Sequence, residues 1–169
     1  MQRFTEGDLA LLFADGWAVS KYDGWAFYRN QFEKCCGGNK AVDFLAFDPA
    51  TKTLWLIELK DYRRYPRTKP TPLWDEVATK ARDSLAGLVA AQVAPGHAEQ
   101  AFARKALGAT RMRIVLHLEP ETTMPEPRRV VQRSLIQQKL KQLAKAIDAH
   151  PLVAEMAMMQ GVPWAAEGI

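Results

Sequence analysis

Cysteine is scarce in this chain. Its 169 residues include two, and they are adjacent, Cys35 and Cys36. Neighbouring cysteines cannot easily close a relaxed disulfide, and they lack the CxxC spacing of a zinc half-site. A disulfide scaffold is therefore excluded, and two reduced thiols in a cytoplasmic protein are expected. Histidine is scarce too: His97, His117 and His150 show no metal-ligand spacing. His117 lies in an apolar run and reads as a structural histidine. No segment approaches the ~20 apolar residues of a membrane span. The apolar stretch Leu9 to Ala14 has acids on both sides, is too short for a signal-peptide core and lacks a basic start followed by a cleavage site. There is no glycine-rich nucleotide loop, no serine elbow, no internal repeat and no low-complexity tract.

What remains is ordinary globular composition. Hydrophobic residues make up 48% and charged residues 25%, which excludes disorder and fits one domain spanning residues 1–169. Lys and Arg number 23 against 19 Asp and Glu, a net charge of +4. That balance permits an anionic partner without requiring one.

Local patterns suggest an order of elements. Thr5-Glu6-Gly7-Asp8 resembles a capped start to a short helix running to about Ala14. Trp17 to Tyr22 reads as a strand, and the aromatic residues of Trp25 to Lys34 favour another. Ala41 to Phe47 and Thr53 to Lys60 are the clearest strands, joined by the turn Asp48-Pro49-Ala50-Thr51-Lys52. Val77, Ala81, Leu85 and Leu88 space a helix from Leu73 to about Val93, broken by Pro95-Gly96. A second helical piece, Ala98 to Leu107, stops at Gly108. Arg111 to Leu118 reads as a strand, 119–127 as a proline-bearing loop, Val130 to Ala149 as an amphipathic helix, and Leu152 to Met159 as a last strand. The expected fold is α/β, a mixed sheet flanked by helices.

The central hairpin carries the chemistry. If Asp48 and Thr53 close the turn, Leu45 faces Leu56 and Asp43 faces Glu58. Alternation then puts Asp43, Glu58 and Lys60 on one side, with Val42, Phe44, Ala46, Trp55, Ile57 and Leu59 on the other. Two opposed carboxylates at the end of an apolar hairpin repel unless a cation compensates. A hard divalent ion does so, since Mg²⁺ binds through one or two carboxylates plus water and phosphate. Lys60 would lie beside it, able to orient a water or stabilise developing phosphate charge. A surface ion pair between Glu58 and Lys60 on an exposed hairpin is the plain alternative.

These residues resemble the PD-(D/E)XK nuclease superfamily, whose fold is restriction-endonuclease-like, an α-β-β-β-α-β core. The likeness rests on Ala41-Val42-Asp43-Phe44-Leu45 and Leu56-Ile57-Glu58-Leu59-Lys60, with Val42 where the family's name has proline. It implies Mg²⁺ (or Mn²⁺) held by Asp43, Glu58 and the Leu59 carbonyl, and a catalytic role for Lys60. It also implies hydrolysis of phosphodiesters, with DNA as the expected substrate. Glu6 is a candidate additional acid, with Asp8 behind it, although a helix N-terminal charge complementing the dipole is the plainer reading of both; Glu33 is an alternative. Lys80, on the polar side of the following helix, is a candidate phosphate contact or a solvated lysine.

Residues 60–69 contain five basic residues, one acid and two tyrosines. Arg63, Arg64, Arg67 and Lys69 are thus candidates for nucleic-acid binding. Arg128, Arg129, Arg133, Lys139, Lys141 and Lys145 read as the solvated face of the late helix. A chain this small is expected to draw specificity from a homodimer or a partner subunit. The alternatives to a nuclease are a non-catalytic nucleic-acid-binding or protein-interaction subunit on the same fold, and an α/β protein whose hairpin charges are only ion pairs.

Overall fold

The computed structural model describes residues 1–95, 97–121 and 132–169. Gly96, most of the expected loop 119–127, the start of the late helix at Val130, and Arg128 and Arg129 lie outside the described residues.

A five-stranded mixed sheet organises the chain. Its strands are β3 (Ala18–Lys21), β4 (Phe44–Asp48), β5 (Thr53–Asp61), β6 (Arg111–Glu119) and β7 (Leu152–Ala154), side by side in that order. The β3–β4 and β4–β5 pairs are antiparallel, and β5–β6 and β6–β7 are parallel. The β4–β5 register matches the hairpin expectation, from Asp48↔Thr53 through Phe44↔Ile57. β5 is buried on both faces from Thr53 to Leu59 because neighbours and packed layers enclose it.

Helices α1 (Leu73–Ala91), α2 (Glu99–Leu107) and α3 (Arg133–Ala144) cover one face. α1 begins after Pro72, and Asp75 and Glu76 in its first turn complement the helix dipole. Val77, Ala81 and Leu88 pack with Leu45, Leu54, Leu56, Ile114 and Leu116 of the sheet. The opposite face is not covered by helices, contrary to expectation. A second, three-stranded sheet covers it, in the order β1 (Gln2–Glu6), β2 (Leu9–Phe13), β8 (Ala165–Gly168). Leu9, Leu11, Phe13 and Trp164 there bury Phe44, Trp55, Ile57 and Val115.

Three further expectations are corrected. Residues 5–14 form a hairpin, not a helix. Gly7 adopts φ +55° in the two-residue turn joining Glu6 and Leu9, a conformation glycine takes at little cost. The apolar run that follows is a central strand, flanked by β1 and β8. Within 25–34, residues 26–32 are helical, including a π-helical turn Tyr28–Phe32; packing of Trp25, Phe27 and Tyr28 into the helical-face core overrides their strand propensity. The expected strand Leu152 to Met159 ends at Ala154, with a tight bridge between Glu155 and Met158.

The candidate acid–lysine cleft

The site lies where β4 and β5 stop pairing. The antiparallel ladder ends at Phe44↔Ile57, so Asp43 and Glu58 stand just beyond its last rung. Instead of continuing the ladder, the chain before β4 is pinned to α1. The Val42 amide donates to Ser84 Oγ at 3.0 Å, and the Lys40 amide donates to Asp83 Oδ2 at 2.9 Å. The Tyr22 amide donates to the Asp43 carbonyl at 2.9 Å. The Asp43 side chain takes over the missing rung, with Oδ2 accepting from the Leu59 amide at 2.7 Å.

Glu58 has 0% exposure. Its Oε1 accepts from both Lys60 Nζ and Lys80 Nζ, the latter at 2.5 Å. Lys80 also lies 3.8 Å from Asp43 Oδ1. Glu58 Oε2 is buried and has no hydrogen-bond partner among the described residues. Burial pushes the Glu58 carboxyl up to about 7, and Asp43 adds to the rise against the pull of Lys60 and Lys80. Burial also raises Asp43, opposed by Lys80 and by the Leu59 amide. For Lys60, burial acts to lower the value, but Glu58, Asp43 and Glu76 together hold it above the ordinary lysine range.

Asp43, Glu58 and Lys60 are thus brought together as the sequence suggested, and Lys80 joins them from α1 instead of standing as a solvated surface lysine. Asp43, Lys60 and Lys80 line an open cleft of about 510 Å³, whose walls include Arg29, Asn39, Lys40, Lys69 and Glu76. Five cationic and four acidic side chains line it among the described residues. Glu33 reaches this cleft from the helical segment after β3. Glu6 sits on β1 rather than on a helix, paired to Lys21, and its charge reaches Asp43.

The basic stretch is paired within the fold. Every cation in 60–69 has an acidic partner, so its sequence charge is largely cancelled in space. Arg63 grips Asp61 with two hydrogen bonds of 2.9 and 2.6 Å and donates to the Asp8 carbonyl, away from the cleft. Arg64 is 72% exposed and pairs with Asp8. Arg67 is only 7% exposed, donating to Glu76, to the Thr71 carbonyl and to the Tyr62 hydroxyl. Arg63 and Arg67 thus bond to Asp61, Glu76 and neighbouring backbone carbonyls and do not line the cleft. Lys69, 64% exposed, reaches Glu76 at 3.2 Å and keeps its place in the cleft wall.

Glu76 was not foreseen. It accepts from Arg67 and Lys69 and lies 3.9 Å from Lys60. Burial acts to raise its carboxyl, but the Arg67 hydrogen bond, the Lys60 charge and Lys69 win and lower it to about 2. A sequence signal existed: Glu76 precedes Lys80 by four residues, hence shares its helix face. Among the described residues, no group of three or more His, Cys, Asp or Glu could hold a metal ion. His117 is fully buried and bonded to Glu119, as expected of a structural histidine. No helix among the described residues is long and apolar enough to cross a membrane.

No family model matches the chain, and no solved structure does. A cysteine–tRNA ligase of Neisseria meningitidis (serogroup A / serotype 4A) is 34% identical over 151 residues, covering 70% of this chain and 21% of the ligase. The chain spans about a fifth of the length of that curated relative. This match overturns the expectation of a phosphodiester-hydrolysing nuclease. The relative is named as a tRNA ligase, neither a nuclease nor a hydrolase, and the expected substrate DNA falls with that reading.

Proposed function

We propose that this chain is a tRNA-contacting domain that works with an enzyme of the cysteine–tRNA ligase kind, and that the acid–lysine cleft receives the RNA backbone. The match to one segment of such a ligase carries the reading. The cleft supports it physically. Lys60, Lys80, Lys69, Lys40 and Arg29 surround one open, polar cavity, and lysine is a compact cationic donor to phosphate oxygens. The domain's likeness to the PD-(D/E)XK fold belongs to this proposal as a shared architecture for the cleft, without the family's chemistry.

Bound phosphate must contend with Asp43, Glu58 and Glu76. The partnerless Glu58 Oε2 beside Asp43 suits a hard divalent ion, since Mg²⁺ needs only one or two carboxylates when water and phosphate complete its shell. Asp43 and Glu58, with the Leu59 carbonyl, would hold Mg²⁺ (or Mn²⁺), which would neutralise the acid pair and favour a phosphate oxygen. Lys60 and Lys80 would then face the RNA backbone rather than Glu58 alone.

Fluorescence anisotropy with a tRNA transcript, across a salt series and with Mg²⁺ present, tests the proposal. Lys60→Ala and Lys80→Ala are each expected to weaken binding. Each should also flatten the dependence of log K on log salt by about 0.7–0.9 for every phosphate the variant no longer neutralises. Equal binding of tRNA and a DNA duplex of matched charge, or variants indistinguishable from wild type, would refute it.

A further inference from the structure

The two cysteines are the feature that the cleft leaves unused. Both are exposed, and their sulfurs lie 3.5 Å apart. They sit in a single turn, Cys35–Gly37, where Cys36 holds φ +51°, a left-handed conformation uncommon for a residue with a side chain. Gly37 and Gly38 follow with φ +88° and +114°, so three consecutive residues occupy backbone regions that ordinary strands and helices avoid. The turn already brings both thiols to one side, and its glycines allow further rotation at small cost.

We propose that Cys35 and Cys36 form a redox-active surface dithiol that small-molecule disulfides oxidise to a vicinal disulfide and that thiols restore. Closure shortens the sulfur separation from 3.5 Å to about 2.05 Å. Adjacent α-carbons stand about 3.8 Å apart, below the usual disulfide span, so the bond is strained and easily reduced. That strain suits a reversible site rather than a structural bridge.

The chemistry balances by thiol–disulfide exchange. One cysteine thiolate attacks the small disulfide, forms a mixed disulfide and expels one small thiolate. The second cysteine gives its proton to water and attacks the protein-bound sulfur of the mixed disulfide. The Cys35–Cys36 bond forms, and the second small thiolate leaves. The protein loses two protons and two electrons, and the small disulfide becomes two thiols.

Closure has a route to the cleft. The Cys35 carbonyl accepts from the Asn39 side-chain amide at 2.7 Å and from the Gly38 amide at 3.1 Å. Asn39 also bonds the Phe32 carbonyl, and its own carbonyl accepts from the Tyr28 hydroxyl. Asn39, Lys40 and Tyr28 line the acid–lysine cleft. Turning the Cys35–Cys36 peptide for ring closure displaces that carbonyl and loosens the Asn39 anchor. The site stands on the turn geometry and does not depend on the tRNA reading.

Intact-mass spectrometry of the full chain in graded mixtures of reduced and oxidised glutathione tests this. The wild type should become lighter by two hydrogens without retaining glutathione, and dithiothreitol should reverse the change. Cys36→Ser under the same conditions should keep glutathione on Cys35, because no neighbour can expel it. On oxidation, NMR amide signals of Asn39 and Lys40 should move in the wild type only. Stable glutathione adducts on the wild type, disulfide-linked dimers in place of the closed form, or free thiols at large excess of oxidised glutathione would each overturn the proposal.

Discussion

Replacing Arg67 with methionine keeps most of the side chain's apolar bulk and removes its charge. Arg67 and Glu76 are each 7% exposed. The guanidinium ties Glu76, Tyr62 and Thr71 into one knot, anchoring the loop after β5 to the first turn of α1. Removing one partner of a buried ion pair costs about 3–5 kcal/mol when nothing replaces it. Here Lys69 and Lys60 remain near Glu76, so the cost is smaller. The fall of the Glu76 carboxyl from 4.5 to about 2 corresponds to about 3 kcal/mol of linked stability. Water at the cleft mouth screens part of that, leaving roughly 2 kcal/mol for Arg67→Met at pH 7.

The sign of the pH dependence follows from the lowered carboxyl. Its stabilisation is present above the unfolded value of 4.5 and is lost as pH falls toward about 2. The gap between wild type and Arg67→Met should therefore be widest near neutrality and should close in acid. Urea unfolding followed by tryptophan fluorescence at pH 7, 5 and 3 measures it. Arg64→Met, at an exposed pair with Asp8, serves as the control and should stay within about 0.5 kcal/mol of wild type. A gap under about 0.5 kcal/mol at pH 7, or one unchanged at pH 3, would show that the knot is not what holds this loop.

Other expectations follow from packing. A Cβ at Gly87 would lie 1.9 Å from the Tyr22 hydroxyl and 3.2 Å from Phe32, so Gly87→Ala should destabilise by about 1–3 kcal/mol despite alanine's better helix propensity. Tyr22→Phe removes that oxygen, a buried hydroxyl without a hydrogen-bond partner among the described residues, and should restore much of the loss in a thermal melt of the double variant. Ser84→Ala deprives the Val42 amide of its acceptor beside Asp43; a loss of about 1 kcal/mol in urea is expected. Asp148 is buried and accepts from Arg113, the Ile114 amide and the His150 amide, so Asp148→Ala should cost about 2–4 kcal/mol, and a change under 0.5 kcal/mol would contradict that role.

The central hairpin was legible because its constraints are local. Asp48-Pro49 sets the turn, and strict alternation leaves one register that keeps Leu45 and Leu56 on the same face as Asp43 and Glu58. α1 was legible by its period, although its end falls at Ala91 rather than Val93. The segment Leu9-Ala10-Leu11-Leu12-Phe13 was not. A short apolar run fits a helix or a buried strand equally, and its central place comes from β8, more than 150 residues later. The aromatic segment near Tyr28 misled for a similar reason, since its rings satisfy packing against the helical layer rather than strand pairing.

Sequence alone determined that an acid pair and a lysine would share one side of the hairpin, because side chains alternate along paired strands and a single slip would bury the wrong set. It also placed positive charge directly after them, but charge in sequence is only an inventory. Tertiary structure decided where that charge went. Arg63 and Arg67 fold back onto Asp61 and Glu76, while Lys80 arrives from α1 to join Lys60 on Glu58. Which cations face a ligand depends on partners brought together by packing, because Coulomb energy follows distance and burial rather than order along the chain.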